Sequence, residues 1–281
     1  MAEFSAADVA ALRKQTGAGM MDCKRALQEA DGDLERAKVW LRERSLAKGD
    51  KRAGREADQG AVDVVAEHGV GAVVEVNCET DFVAKGADFV GFVARLARHV
   101  ATEGDADLEH HPFDGSTVGD AVTALSGTLG EKVRLGRVVR YEAGDGLVDA
   151  YKHVQNERGV IGVLVELAGV DPGDPKARDI AHDLALHIAS AAPRYVSRDD
   201  VPDEVVAAER EVLEALTRNE GKPEAALGKI VEGRLGGFFK DVALLEQGFV
   251  KEPKRSVRSL VESLGAAASV RRFARVKIGE D

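Results

Sequence analysis

The sequence predicts an α+β protein: an N-terminal three-helix module, then two related subdomains of small antiparallel sheet plus helices, with a helical hairpin inserted in the second. Three observations carry this. Apolar residues first recur at helical spacing between capping residues. After residue 60 the period falls to two, in paired runs separated by turns. The whole series of hairpin, helices and strand then recurs after residue 146.

The first segment, residues 1–47, reads as three short helices. Ser5 caps "AADVAALRKQ", "TGAG" breaks the chain, "MMDCKRALQEA" follows, and Asp33 caps "LERAKVWLRER". Val9, Leu12, Ala26, Leu27, Leu34, Ala37, Val39, Trp40 and Leu41 supply a small core, too small for more than a docked or tethered module. Residues 48–59 are charged, contain glycine and lack large apolar side chains, so they read as a linker with a fraying helical start.

Residues 60–145 read as the first α+β subdomain. "AVDVVAE" and "GAVVEVNCE" alternate as a β-hairpin, with Ala72, Val74, Val76 and Cys78 on one face and Glu75, Asn77 and Glu79 on the other. In "VNCETDFV" Asp81 is placed to cap a helix. Phe82 then falls in the first turn, an odd place for an aromatic in a chain that is 5% aromatic. Position alone fits a hydrophobic staple or core residue as well as an exposed anchor. Phe89, Phe92, Val93, Leu96 and Val100 form a helical stripe, then "TVGDAVTALSGTLG" and the strand "GRVVRYEA" complete the unit.

Residues 146–281 repeat it. Gly71 matches Gly162, Val74 matches Val165 and Glu75 matches Glu166; Leu96 and His99 match Leu184 and His187. Each copy is expected to be a small sheet covered on one face by helices. The second carries an insertion, 203–240, read as an antiparallel helical hairpin with stripes Val205, Ala208, Val212, Leu216 and Leu227, Ile230, Val231, Leu235.

Composition narrows the function. A formal charge of −10 argues against a protein built to coat nucleic acid, though not against a basic protein partner. Two cysteines make no disulfide framework, which suits a reducing cytoplasm. The N-terminus lacks a signal-peptide pattern, and no apolar run is long enough to span a membrane. There is no phosphate-loop or dinucleotide motif, no HExxH and no paired-cysteine metal spacing. His110 and His111 read as a solvated loop rather than a metal site. Cys78 reads as core filler, and His99 and His187 as a shared structural pair. The expectation is a non-enzyme without cofactor or metal.

"LRKQTGAGMMDCKRALQEADGDLERA", followed by "EVNCETDFVAK", closely resembles elongation factor Ts, and the resemblance covers nearly the whole chain. It implies a ubiquitin-associated-like N-terminal module and guanine-nucleotide exchange on elongation factor Tu during translation. It also implies that Thr80, Asp81, Phe82 and Val83 enter that partner near the elements holding Mg²⁺ and phosphate. Leu12, Arg13, Met20 and Met21 would contact the same nucleotide-binding domain. Leu12 and one methionine can equally fill the module's core, and Asp81 can cap its helix or meet the partner. Gly130, Tyr151 and His153 fall in weaker contact regions, the turn "HVQNERG" being longer than the pattern suggests. The hairpin implies either partner contact or a homodimer or heterotetramer. Many members carry a further C-terminal helical module; here the sequence reaches "VKIGED" directly after the last strand, so binding is expected to lean on the N-terminal module and the hairpin. A polypeptide-binding adaptor is the alternative, and it leaves the duplication and "TDFV" unexplained.

Overall fold

The computed structural model describes residues 4–52 and 54–280. Three helices open the chain: α1 (Ala6–Thr16), α2 (Met20–Glu29) and α3 (Leu34–Arg52). Ser5 and Asp8 form a reciprocal capping box, with the Ser5 N–H donating to the Asp8 carboxylate at 2.7 Å and the Asp8 N–H donating to Ser5 Oγ at 3.2 Å. Gly17 ends α1 in the left-handed region. Leu12, Cys23, Ala26, Leu27 and Ala37 close the core. Val39, expected there, is exposed, because Ala37 and Leu41 take the inward face and a residue two positions away points elsewhere. Of the linker segment 48–59, residue 53 lies outside the described residues; α3 continues through Arg52 and the next strand already begins at residue 59. The module sits on the body, with the Arg42 guanidinium 2.6 Å from the Asp120 carboxylate.

The first half is β1 (Gln59–Glu67), β2 (Val70–Cys78), α4 (Asp81–Ala84), α5 (Ala87–Glu103), a two-residue ribbon β3 (Pro112–Phe113) and β4 (Ser116–Thr117), α6 (Val118–Leu129) and β5 (Val133–Glu142). The second is β6 (Gly146–Gln155), β7 (Arg158–Ala168), α7 (Pro175–Ala191), α8 (Asp203–Asn219), α9 (Glu224–Val242), a second ribbon β8 (Gly248–Phe249) and β9 (Glu252–Ser256), α10 (Val257–Glu262) and β10 (Ser269–Lys277). The sheets are antiparallel, ordered β1-β2-β5 and β10-β7-β6. In one, Val74 and Val76 meet Phe89, Phe92 and Leu96 of α5; in the other, Val163 and Val165 meet Leu184 and Ile188 of α7. Correspondence reaches single hydrogen bonds. Arg140 Nε donates to the Ala101 carbonyl at 3.2 Å, and Arg275 Nε donates to the Ala189 carbonyl at 3.3 Å. His99 packs on Phe113 as His187 packs on Phe249.

The sheets are covered on both faces, not one. The faces away from the helices pack on each other through Val62, Val73, Tyr141, Val148, Leu164 and Val276. Glu75 and Asn77, which alternate like solvent-facing residues, are buried there. Glu75 accepts from Asn77 Nδ2 at 2.8 Å and from the Arg137 backbone N–H at 3.2 Å, beside a bulge in the β2–β5 ladder. Its counterpart Glu166 is held by Arg271 at 3.0 Å and Arg272 at 2.6 Å, again at a bulge. A buried carboxylate needs such partners. The sheets approach so closely that a Cβ on Gly71 would lie 2.4 Å from Val148 Cγ1, and one on Gly162 2.5 Å from Val62 Cγ1.

Two further expectations are corrected. In the helical hairpin, α9 buries Leu227, Val231 and Leu235, but α8 turns Val205, Val206 and Leu213 inward and leaves Val212 and Leu216 outside. This helix carries two apolar rows, and only contact with α9 selects between them. The segment "HVQNERG" is not a long turn. Strand pairing runs out to Gln155 and Arg158, leaving a two-residue turn, Asn156–Glu157, with both residues at positive φ.

Candidate functional site

The site is built where β2 ends. The Cys78 thiol is buried and points at the Thr80 carbonyl, 3.3 Å away; burial pushes its pKa up to about 12, so it stays a neutral thiol. The N-cap of α4 is Thr80, not Asp81. Its hydroxyl accepts from the Val83 N–H at 3.3 Å while donating to Glu131 Oε1 at 2.5 Å. Asp81 is instead the first helical residue and pairs with Lys85 at 3.1 Å. The helix ends at Ala84, and Gly86 caps the separate α5, so the stripe beginning at Phe89 belongs to a second helix.

One turn of helix thus faces two ways. Val83 and Ala84 pack into the first half's core and anchor it. Phe82 points out and is 75% exposed, so it is neither a staple nor a core residue. Leaving that ring in water forgoes about 2 kcal/mol of burial free energy. The Lys85 ammonium, tethered by Asp81, lies 4.5 Å from the ring centroid. Sequence reasoning missed Lys85, although its i+3 spacing from Phe82 signals the contact. It singled out the turn around Gly130 but not the reach of Glu131 to Thr80, for which a separation of 51 residues gives no signal.

The other candidate residues fall in three places. Gly130 ends α6 in the left-handed region, next to Glu131, so the turn that carries Gly130 adjoins the Thr80–Val83 motif. In the module, Met20 and Met21 are 48% and 72% exposed at the start of α2, and Arg13 is exposed on α1. Leu12 is fully buried in the module core, where it packs with Cys23 and Leu27. Tyr151 and His153 lie in the other half on β6, their side chains 3.3 Å apart, with the His182 ring beside Tyr151. His110 pairs with Asp107 on the surface and His111 Nε2 meets the Ala106 carbonyl. Among the described residues no group of three or more His, Cys, Asp or Glu side chains could hold a metal ion, and no helix is long and apolar enough to cross a membrane.

A duplicated body with an exposed aromatic on an anchored turn, and a docked helical module with two exposed methionines, defines a protein-binding factor. Residues 79–280 match the family model described as Elongation factor TS, and residues 2–50 match "Elongation factor Ts, mitochondrial, N-terminal". The chain is similar to Elongation factor Ts of Streptomyces coelicolor, 47% identical over 287 residues, covering 99% of this chain and all of that protein. It is 44% identical to Elongation factor Ts of Micrococcus luteus over 284 residues, with the same coverage. The Mycobacterium avium relative is 45% identical over 286 residues, covering the whole of both chains. The chain belongs to the elongation factor Ts family. Membership implies nucleotide exchange on elongation factor Tu in translation elongation, a binding activity rather than catalysis of a covalent step.

Proposed function

We propose that the chain binds elongation factor Tu·GDP and drives GDP out by inserting Phe82 beside the partner's Mg²⁺ and phosphate contacts. The observation that carries this is a large apolar ring held in water on a turn whose opposite side is anchored in the core. A nucleotide diphosphate is gripped by many short contacts to a loop and helix N-terminus, and Mg²⁺ demands near-ideal octahedral geometry. A wedge that shifts those groups by about an ångström weakens many contacts together. Linkage makes the effect reciprocal: what lowers GDP affinity is bound less well while GDP is present, so new nucleotide displaces the factor. Arg13, Met20 and Met21 supply a second contact through the N-terminal module, methionine suiting an adaptable surface. Gly130, Tyr151 and His153 supply lesser ones. Val212 and Leu216, left outside on α8, provide the surface through which the hairpin meets the partner or a second copy.

The test is release of labelled GDP from elongation factor Tu. Because Phe82 contributes little to the fold, Phe82→Ala is expected to melt with the parent while stimulated release falls by tenfold or more, the effect of losing a central aromatic anchor worth about 2 kcal/mol. Unchanged release from a folded Phe82→Ala chain refutes the wedge.

A further inference from the structure

The Phe82 turn is held from 51 residues away. Glu131 takes two different protons of Thr80: Oε2 accepts the backbone N–H at 3.0 Å and Oε1 accepts the hydroxyl at 2.5 Å. Having given its proton to the carboxylate, the hydroxyl can offer only lone pairs, and one meets the Val83 N–H. The sequence carboxylate, hydroxyl, amide therefore fixes a rotor that would otherwise turn freely. This matters because α4 is a single turn of four residues, too short to hold its own direction. Glu131 is itself fixed. Gly130 ends α6 just before it, and Ser126 Oγ donates to the Glu131 carbonyl at 2.5 Å. The clamp is crossed as well: the Lys132 N–H donates to the carboxylate of Glu79, the residue before Thr80, at 2.6 Å.

The second copy of the fold gives the control. It has the same three-stranded sheet, with α7 and α10 in the places of α5 and α6, but no counterpart of α4 and no phenylalanine between β7 and α7, and the turn before β10 reads Gly265, Ala266, Ala267, Ala268. No carboxylate stands there. The shared scaffold of sheet and covering helices therefore forms without this clamp, which occurs only in the half that carries the Phe82 turn.

We propose that Glu131 is a positioning residue for exchange, which sets the direction in which Phe82 is presented by fixing the Thr80 cap. The inference rests on the wedge reading. Without the clamp the turn must be ordered during insertion, and that cost falls on the step that expels GDP rather than on the first encounter.

Stimulated GDP release is measured with the full chain across a concentration series, giving a maximal rate and a half-saturating concentration. Glu131→Ala is expected to lower the maximal rate about tenfold, the effect of losing a charge-assisted pair, and to change the half-saturating concentration less than about threefold. Glu131→Gln, which keeps the shape and one acceptor, falls between; it remains informative where the alanine variant folds poorly. Thr80→Val, which keeps shape but removes the hydroxyl, lowers the rate and is not additive with Glu131→Ala. In a Phe82→Ala background, Glu131→Ala changes the rate less than about twofold, because there is no ring left to aim. Full activity of both Glu131 variants beside an impaired Phe82→Ala overturns the clamp and leaves the wedge standing. A further tenfold loss in the Phe82→Ala background also overturns it, since Glu131 would then act independently. Full activity of Phe82→Ala overturns the wedge, and the positioning role with it.

Discussion

Gly162→Ala is a single methyl group placed between the two sheets. Its Cβ would lie 2.5 Å from Val62 Cγ1, 2.6 Å from Val73 Cγ2 and 2.9 Å from Val64 Cγ1, where carbon atoms prefer about 3.5–4.0 Å. All three neighbours are β-branched, so their rotamers are stiff, and they stand on β1 and β2, whose backbones are locked in one ladder. Relief requires the sheets to part locally by about an ångström, which also loosens Val148, Leu164 and Val276. Overpacking costs about 1–3 kcal/mol, and three simultaneous clashes put this case at about 2–3. With a urea slope of about 3 kcal/mol/M, the midpoint falls by about 0.8 M. Far-UV circular dichroism is the assay, because the chain's single tryptophan, Trp40, lies in the N-terminal module and reports on that module. The same substitution at Gly228, on the open side of α9 with nothing within 4 Å of its Cβ, is expected to stabilise by about 0.5–1 kcal/mol through helix propensity alone. Val62→Ala beside Gly162→Ala should recover part of the loss. A Gly162→Ala midpoint within error of the parent refutes the tight inter-sheet contact and the account of why glycine stands there.

Two further outcomes follow from buried titratable groups. His187 is held neutral, with Nε2 donating to Gln247 Oε1 at 2.9 Å and Nδ1 accepting the Val250 N–H at 3.1 Å, and burial pushes its pKa below the ordinary 6.5. The unfolded chain binds the proton more readily, so the stability is present above pH 6.5 and is lost as the pH falls below it. Denaturation between pH 7 and 5 should show this slope, limited to about 1.4 kcal/mol per pH unit for one group, and His187→Leu should reduce it. Neither Cys23 nor Cys78 should react with a thiol reagent in the native protein at pH 8, since both are buried and the Cys78 pKa is pushed up to about 12; in denaturant both react. Rapid labelling of one thiol in the native chain contradicts the buried placement.

What could be read from the sequence was chemistry acting over a few residues or a clear period. Ser5 and Asp8 announce their helix, and the Phe89, Phe92, Leu96 stripe announces its core. The duplication was visible because matched positions such as Glu75 and Glu166 keep residue type. What could not be read depended on distant partners. Glu75 looks solvent-facing until Arg137, 62 residues on, neutralises it beside the other sheet. Val212 and Leu216 form as regular a row on α8 as the buried one, and only packing against α9 decides. In "TDFV" a helix start after the strand was legible, but the cap is Thr80 rather than Asp81: the Thr80 hydroxyl, which donates to the distant Glu131, accepts the Val83 N–H. Leu12 illustrates the opposite limit: its stripe pointed inward, and that local reading matches the buried side chain.

The reciprocal fit of Gly71 on Val148 and Gly162 on Val62 has a consequence for how the molecule is put together. Val62 pairs across its hairpin with Glu75, and Val148 pairs with Glu166, so the two valines are as equivalent as the two glycines. Position i of one half therefore touches j of the other, and j touches i, which is the contact rule of a twofold homodimer. The chain is in effect a dimer whose subunits are covalently joined. In a true homodimer every substitution strikes both copies at once. Here each half can change alone, and Phe82 with its glutamate clamp stands in one half while the helical hairpin stands in the other.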